Sequence, residues 1–399
     1  MQPGTELVFS EGHNVLLGVN GSGKTTLLKL IAKVCSGVFE GLVRTDFHVE
    51  YEIEHAGVSY SVDLQYERPA PTQASELAVT LDIKRPDDEP IRIELKEHKA
   101  IVRYRECSAA LAELASPFIY PLITTATLSI FNTASHDVGI KKAKDLVGVD
   151  YRPVSRLDES TQWLDESLRL GTFDIYEMKP HSRRSAGMRT PSCVMDGAVA
   201  KFDSGGGRDN LLFTHDELDF LKESVAGLGV VGASMRLDTV SVTQRRSGFR
   251  DGSTYTYGRY EFRFIKRGGA RLRPEDLSFG QQRFFAFLYY AAMHPDIVIA
   301  DELTNGMHHS MIERCLDFVE GRQTFLATQN PLLLDNLKGF QDAEDVRRTF
   351  ILCSVTEDDD GQEWMTWRNM TRDEAENFYR DYKVGISHVN DILRSWGLW

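Results

Sequence analysis

The chain has 399 residues, 42% of them hydrophobic and 26% charged, which is the balance of a globular protein with a sizeable core. Its 46 basic and 59 acidic residues give a net charge of −13, and this average charge argues against a bulk nucleic-acid binder. Five scattered cysteines without a C-x-x-C pair, no bilayer-length apolar run and no signal-peptide pattern together predict a cytoplasmic protein without a disulfide framework and without membrane contact.

The first third of the chain predicts a strand, a loop and a helix, followed by antiparallel hairpins. The apolar run at residues 15–17 precedes a glycine-rich stretch, and residues 25–35 then have the apolar spacing of a helix. Apolar and polar residues alternate at 57–66, 77–83 and 91–95. This alternation predicts paired antiparallel strands.

The remaining chain changes character twice. Residues 132–226 combine polar helical patterns, such as 157–170, with loops rich in Ser, Arg and Gly, and we interpret them as an insertion. Within it, Thr214 and Glu217 form a capping-box pattern that predicts a following helix. Continuous apolar runs at 297–300, 324–327 and 349–353 then alternate with helical patterns, which is typical of parallel strands buried on both faces. Two more helices are predicted, one after Thr371 and one at 386–396.

The first motif with a chemical meaning is GVNGSGKT, which matches G-x-x-x-x-G-K-[ST] in full between the predicted strand and helix. Gly21 and Gly23 allow the backbone to curl, so that successive N–H groups point at phosphate oxygens. Lys24 is expected to reach the β- and γ-phosphates, and the Thr25 hydroxyl is expected to ligate magnesium. The sequence therefore predicts a nucleotide cradle made of Gly18, Asn20, Gly21, Ser22, Gly23, Lys24, Thr25 and Thr26.

The second motif, DIVIADE at residues 296–302, is a buried apolar strand that ends in two acids. Ligands bind at the carboxyl ends of strands in open α/β sheets, so Asp301 is expected to hold magnesium through water. Glu302 is then placed to polarise an attacking water as a general base. Read alone, the same letters also fit an acidic helix start after a strand.

The third motif, LSFGQQR at residues 277–283, predicts a helix start. Ser278 and Gln281 form a capping box, and the helix that follows is apolar nearly all round and ends before Pro295. Ser278, Gly280 and the free N–H groups of this helix start can bind an anion. Without the other motifs, a well-capped core helix is the simpler reading.

The order of these motifs resembles that of ABC-type ATPases, in which Walker A precedes a signature like LSGGQ and a Walker B of the form hhhhDE. The wide gap between the first two motifs is similar to the SMC/RecF/OLD-type branch. ELTNGMHH at 302–309 and ATQNPLLLD at 327–335 resemble the E-x-x-N-G-L-H-P and T-H-S-P-x-L-L-D segments of that branch. The resemblance implies an α/β fold, an ABC-type ATPase head with a parallel P-loop sheet, an antiparallel β-subdomain and a helical insertion.

The resemblance also divides the chain into four segments. These are an N-terminal ATPase lobe at 1–131, the insertion at 132–226, a C-terminal ATPase lobe at 227–356, and a C-terminal hairpin with helices at 357–399. It implies ATP and Mg²⁺ as cofactors, and Glu302, Lys24 and Gln329 as catalytic residues. Gln329 replaces the histidine of the family's switch segment. Because glutamine can donate a hydrogen bond but cannot carry a proton, we expect slow or activated turnover.

In this family the signature of one subunit completes the nucleotide site of the other. The resemblance therefore implies a homodimer, or a larger oligomer, in which Ser278, Gly280 and Gln281 bind the partner's ATP. It favours a defence-type ATPase that controls a separate effector, a nuclease. A RecF-like ATPase that clamps DNA is the alternative, and an ATP-gated scaffold with little turnover stays open because of Gln329. The wide motif gap argues against a transporter subunit.

Three basic clusters, at 183–189, 245–250 and 266–273, predict either solvated surface or contacts with a DNA backbone.

Overall fold

The structure is a computed structural model that describes residues 4–36, 46–55, 58–67, 76–84, 89–96, 99–104, 107–111, 172–177, 183–185, 190–205, 208–247, 250–357, 361–385 and 387–398. The chain divides into two compact units, one of residues 1–28 and 155–399 and the other of residues 29–154. The boundaries of these units differ from those of the four predicted segments. The segment boundaries therefore remain a prediction.

A mostly parallel sheet lies in the first unit. Among the described residues its strands are, in spatial order, β14 (Ile297–Asp301), β15 (Gln323–Ala327), β1 (His13–Leu17), β16 (Phe350–Glu357) and β17 (Glu363–Asn369). The first four run parallel to their neighbours, and β17 is antiparallel to β16. The three apolar runs predicted as parallel strands fall on β14, β15 and β16, so this prediction is confirmed. The strand predicted at residues 15–17 is β1. Val15, Leu16 and Leu17 are all fully buried, as strands covered on both faces require.

A second, antiparallel sheet belongs to the same unit. It is built around a long hairpin of two strands that pair along most of their length. Its described strands are β8 (Phe173–Glu177), β9 (Arg183–Ser185), β10 (Asn210–Thr214), β11 (Gly232–Ser247), β12 (Arg250–Ile265) and β13 (Arg271–Leu272).

Helices pack against both of these sheets. The described helices are α1 (Lys24–Ser36), α2 (Ser192–Asp203), α3 (Asp219–Leu228), α4 (Phe279–Met293), α5 (His309–Phe318), α6 (Pro331–Asp335), α7 (Ala343–Thr349), α8 (Arg372–Val384) and α9 (Val389–Ser395). Within the described ranges, none of them is both long and apolar enough to cross a bilayer.

Helix α4 lies in the core of the first unit. Ser278 caps it, with its hydroxyl accepting from the Gln281 backbone N–H while the Gln281 side chain accepts from the Ser278 N–H, which confirms the predicted capping box. On one side the Phe285 ring meets Phe262 and Phe264 of β12 edge to face, at centroid distances of 4.8 and 5.0 Å. This packing explains why the helix is apolar nearly all round.

On another side, α4 forms hydrogen bonds with β14, the outer strand of the parallel sheet. The Tyr290 hydroxyl accepts from the Ile299 N–H at 3.1 Å and donates to the Ile299 carbonyl at 3.0 Å. The Tyr290 hydroxyl thus satisfies two backbone groups on the side of β14 that has no neighbouring strand among those described, where buried unpaired groups would be costly.

The described part of the predicted insertion contains strands as well as helices. β8, β9 and β10 belong to the antiparallel sheet, and α2 and α3 follow β9 and β10 in the chain. The helical pattern at 157–170 lies outside the described residues. The helix predicted after Thr214 begins at Asp219 with Leu218 as its N-cap. Thr214 and Glu217 instead bond to each other in the turn that ends β10.

The C-terminal residues form the helices predicted for them. The Thr371 hydroxyl and the Glu374 side chain make the capping box that begins α8, which confirms that prediction. The helix predicted at 386–396 is the shorter α9.

The second unit contains an antiparallel sheet whose strands pair in chain order. Its described strands are β2 (Phe47–His55), β3 (Val58–Glu67), β4 (Glu76–Lys84), β5 (Ile91–Lys96), β6 (Lys99–Tyr104) and β7 (Cys107–Leu111). The alternating patterns at 57–66, 77–83 and 91–95 fall on β3, β4 and β5, so the predicted hairpins are confirmed. Because successive side chains point to opposite faces, Val62 and Leu64 are buried while His48 and Glu50 are exposed.

Candidate nucleotide-binding site

A cavity of about 900 Å³ lies where the loops after β1, β14 and β15 meet, at the carboxyl ends of these parallel strands. Ten residues predicted from the sequence line it: Asn20, Gly21, Ser22, Gly23, Lys24, Thr25, Thr26, Asp301, Glu302 and Gln329. The wall also contains residues that the sequence analysis did not predict: Arg283, Asn305, Asn330, Pro331 and Met365. The cavity therefore joins segments that lie far apart in the chain.

The loop after β1 can close only because it lacks side chains at two positions. Gly18 and Gly23 have φ of 151° and 86°, a backbone region that favours glycine. A Cβ atom at Gly18 would lie 2.2 Å from the Cys353 carbonyl oxygen, and one at Gly23 would lie 2.8 Å from the Met365 sulfur. The curled backbone that a phosphate cradle needs is thus built by close packing against β16 and β17.

Two polar groups inside this loop are buried. The Lys24 amine donates to the carbonyls of Gly18 at 2.7 Å and Val19 at 3.0 Å, so the charge is held over its own loop. The Ser22 hydroxyl has no hydrogen-bond partner among the described residues. An orphaned hydroxyl beside a buried amine in a glycine cradle is the donor set that a phosphate oxygen requires.

Two oxygen atoms that could ligate a metal ion lie close together at the start of α1. The Thr25 hydroxyl donates to the Asp301 carboxylate at 2.6 Å, and Asp301 is only 8% exposed. A hydroxyl and a carboxylate are ligands that Mg²⁺ prefers. The residues present therefore fit this ion, and Thr25 and Asp301 are the pair that would hold it.

Glu302 has an unusual backbone conformation and a perturbed carboxyl group. Its φ of 52° is left-handed, which costs a residue other than glycine about 1–2 kcal/mol. Burial raises the pKa of its carboxyl group, and the neighbouring Asp301 raises it further. Lys24 and a hydrogen bond from Gln329 oppose this shift of the pKa. A carboxylate with a raised pKa is a stronger base than an ordinary one.

Arg283 holds this strained segment in place. The side chain is 1% exposed, and its Nε donates to the Leu303 carbonyl at 3.0 Å. Its Nη2 donates to the carbonyls of Asp301, at 2.9 Å, and Glu302, at 2.5 Å. The signature helix α4 is thereby bonded directly to the end of β14. The sequence signal for this residue was a single cation at the start of an otherwise apolar helix.

Gln329, in the loop after β15, forms hydrogen bonds with the loops after β1 and β14. Its side-chain amide donates to the Asn20 side-chain oxygen at 2.5 Å and to the Glu302 carboxylate at 3.3 Å. The residue thus lies between the phosphate loop and the carboxylate predicted as the base. The catalytic roles of Lys24, Glu302 and Gln329 stay predictions, as does nucleotide contact by the loop residues.

The segment after Gln329 is tied to the C-terminal helix. Helix α6 begins two residues later, and its last residue, Asp335, accepts two hydrogen bonds of 2.9 Å from the Asn390 side-chain amide. The Asn390 backbone N–H donates to the same carboxylate at 3.2 Å. Gln329 is therefore connected to α9 through the short helix α6 and the Asp335–Asn390 hydrogen bonds.

The signature residues Ser278, Gly280 and Gln281 do not line the cavity. Ser278 is exposed, and a Cβ at Gly280 would lie 1.9 Å from the Gly306 carbonyl oxygen, so the start of α4 packs tightly on the loop after β14. Phe279 beside them is 56% exposed. Contact between these residues and a nucleotide stays a prediction that requires a second subunit.

A family model described as "AAA domain, putative AbiEii toxin, Type IV TA system" matches residues 14–335. No curated protein matches the chain. Among solved structures, the chain is similar to an Smc head bound to the C-winged helix domain of ScpA, with 12% identity over 91% of this chain and 92% of that one and a TM-score of 0.38.

Two further structures are similar at the same low level. The SMC head domain from Thermotoga maritima has 11% identity, coverage of 91% and 92%, and a TM-score of 0.35. A recombination mediator protein RecF has 12% identity, coverage of 83% and 89%, and a TM-score of 0.26. The match over residues 14–335, most of the chain, is the one that gives its family.

We predict that Arg283→Met lowers the free energy of unfolding by about 2–4 kcal/mol, because three buried carbonyls lose a charged donor and Glu302 loses the bond that holds its left-handed backbone. Urea unfolding measures this change. Arg314→Met is the matched control, since Arg314 makes a half-exposed ion pair with Glu223 whose loss costs under about 1 kcal/mol. Equal stability of the two variants would contradict a stabilising role for the bonds from Arg283 to the three carbonyls.

Proposed function

This chain belongs to that AAA-domain family, and on this premise we propose that it binds ATP with Mg²⁺, hydrolyses it, and acts as a nucleotide-controlled switch. The observation that carries the proposal is the convergence of a glycine cradle, a buried lysine and two acidic side chains in one cavity. Each of these groups has a separate task in phosphate chemistry.

Binding uses the loop after β1. The Lys24 amine exchanges the carbonyls of Gly18 and Val19 for the β- and γ-phosphate oxygens. The Ser22 hydroxyl, which has no partner within the described part of the chain, gains a phosphate oxygen. The N-terminus of α1 adds its positive end. Thr25 and Asp301 would hold Mg²⁺, which supplies neutralisation of phosphate charge when bound.

Hydrolysis uses Glu302 as the base. Its carboxylate accepts a proton from the attacking water, the water oxygen bonds to the γ-phosphorus, and the bond to the β–γ bridging oxygen breaks to give ADP and phosphate. Its raised pKa favours this transfer. Gln329 orients the water and Glu302 through its amide, but it cannot shuttle the proton, so we propose a slow or partner-activated turnover.

The site is completed in a homodimer. Three exposed apolar side chains lie near the motifs: Val19 in the loop after β1, at 75% exposure, Phe279 at the start of α4, at 56%, and Leu332 in α6, at 37%. We propose that these three side chains contribute to the interface between the two subunits. In the dimer, Ser278, Gly280 and Gln281 of one subunit contact the γ-phosphate bound by the other, so that ATP controls association.

The output of the switch is a partner effector. The family description names a putative toxin of a Type IV TA system, and a defence role is our proposal for this chain. The connection from Gln329 through α6 to Asn390 supplies a structural link between nucleotide state and a surface helix. We propose a nuclease as the effector. Co-purification of the product of the neighbouring gene with and without ATP tests this partner.

A RecF-like contact with DNA is the second candidate. Exposed cations lie in the turn between β12 and β13 (Lys266 and Arg267), in β13 (Arg271) and directly after it (Arg273), in contrast to the net negative charge of the whole chain. The side chains of the clusters at 183–189 and 245–250 lie outside the described ones. If DNA binds here, Arg267→Ala with Arg271→Ala weakens an ATP-dependent affinity and reduces its salt dependence, as measured by fluorescence anisotropy. Wild-type protein without any salt-sensitive DNA affinity would eliminate this candidate.

We predict that Lys24→Ala weakens ATP binding by about 10- to 100-fold, because a charge-assisted hydrogen bond worth roughly 1.5–3 kcal/mol is lost. Isothermal titration calorimetry with a slowly hydrolysed ATP analogue measures the affinity. Lys29→Ala, an exposed lysine further along α1, is the control and should leave the affinity unchanged. An unchanged affinity in Lys24→Ala would overturn the assignment of the phosphate loop.

We predict that Glu302→Gln keeps ATP bound and shifts the chain to a dimer, because the base is removed while the shape of the side chain is kept. Light scattering after size exclusion, with saturating ATP and Mg²⁺, gives the oligomeric state. Glu320→Gln, an exposed glutamate, should behave as the wild type. A Glu302→Gln variant that stays monomeric with ATP bound refutes the proposed ATP-dependent homodimer, while the assignment of the nucleotide-binding site still holds.

The raised pKa of Glu302 predicts the pH dependence of hydrolysis. The base must be ionised, so the rate falls as pH drops through this pKa, which lies above the usual value of about 4.3. Gln329→Ala removes a hydrogen bond that lowers this pKa, so the acid limb of the pH–rate profile should move to higher pH. Gln341→Ala serves as the control. A limb that stays in place or moves to lower pH would show that Glu302 is not the titrating base.

A further inference from the structure

Four polar side chains form a square on the exposed face of β2 and β3 in the second unit. His48 and Glu50 are two residues apart on β2, so they point to the same face. In the register of the sheet, His48 lies directly opposite Gln65, and Glu50 lies opposite Asp63. Val62 and Leu64 on the other face of β3 are buried, and this packing gives the square a rigid base.

Three of these side chains converge on one nitrogen atom. His48 Nε2 lies 2.9 Å from Asp63 Oδ1, 3.2 Å from Glu50 Oε1 and 3.4 Å from the Gln65 amide nitrogen. A ring nitrogen has either one proton to donate or one lone pair to accept with. It cannot satisfy two carboxylates and an amide together. A metal ion, in contrast, accepts several donor atoms at once.

The spacing of the donor atoms fits a small divalent ion. Bonds from nitrogen and oxygen to Zn²⁺ are about 2.0–2.2 Å, so neighbouring ligand atoms in a tetrahedral or octahedral shell are roughly 2.9–3.5 Å apart. The separations of His48 from Asp63 and Glu50, 2.9 and 3.2 Å, fall in this interval. The three ligand atoms all lie within 4.8 Å of one another.

The ligand types select the class of ion. One imidazole and two carboxylates suit a first-row transition ion, whereas Mg²⁺ and Ca²⁺ favour oxygen ligands alone. The exposed Glu52 and Glu54 continue the same face of β2 and add negative charge beside the square. The side chains of His48 and Asp63 are 49% and 43% exposed, so an ion can enter from solvent and keep water ligands.

We propose that His48, Glu50 and Asp63 bind a divalent first-row transition ion such as Zn²⁺, with Gln65 beside the imidazole. The site shares no residue with the nucleotide cavity, so it does not depend on the proposed function.

Titration of the full-length chain with ZnCl₂ tests the proposal, by calorimetry in excess Mg²⁺ so that hard oxygen sites are already filled. The wild type should bind one Zn²⁺ ion. His48→Ala and the isosteric Asp63→Asn should each weaken the Zn²⁺ affinity by about 100-fold. Loss of a residue that only supports a metal ligand costs up to about 100-fold, and loss of a ligand should cost at least as much. Co²⁺ should give a visible absorption band in the wild type that both variants lack. His388→Ala, an exposed histidine on another element, is the matched control and should keep both signals.

Two results would overturn the site. One is a wild-type chain that takes up no Zn²⁺. The other is equal Zn²⁺ affinity in the wild type, His48→Ala and Asp63→Asn, since the ion would then bind elsewhere. Circular dichroism of the two variants checks that they remain folded, and because these side chains are exposed, their loss should leave the fold intact.

Discussion

A buried guanidinium group, that of Arg283, connects the helix α4 to the acidic residues at the end of β14. Arg283 belongs to the helix that presents the signature residues, and it bonds the carbonyls of Asp301, Glu302 and Leu303 at the end of β14. A buried cation is tolerated only when its donors are satisfied, so breaking these bonds between α4 and the end of β14 is costly. In the proposed dimer, a subunit bound at the start of α4 would therefore be linked to the strained residue Glu302 through Arg283.

The other loops attach to this centre. Gln329 joins Asn20 to Glu302, and the helix that follows it ends in a carboxylate held by Asn390. Phosphate loop, acidic strand end and C-terminal helix are thus connected through side-chain hydrogen bonds rather than through contiguous chain. In the proposed switch, ATP alters this network at the phosphate loop, and a partner effector responds to the result. Coupling of this kind depends on an element with two arrangements, for which the bridging Gln329 is the natural candidate.

Sequence patterns predicted the regular elements well where the signal was local. The apolar runs at 297–300 and 324–327 became β14 and β15, and the capping residue Ser278 begins α4, because burial on both faces and N-cap bonding depend on nearby residues alone. The same reasoning misplaced the helix after Thr214, where a turn used the capping pair before the helix began. It also missed the strands β8 and β10, since their partners in the sheet lie far along the chain.

By itself, the sequence determined the glycine cradle, the acidic end of β14 and the alternating strands, because each depends on residue type at short spacing. Only the tertiary structure decided which distant groups meet. Arg283 reaches a carbonyl 20 residues away, Asp335 meets Asn390 across 55 residues, and Gln329 meets Asn20 across 309. The convergence on His48 likewise depends on the pairing register of β2 and β3. Such contacts are set by packing and strand register, which a local pattern does not encode.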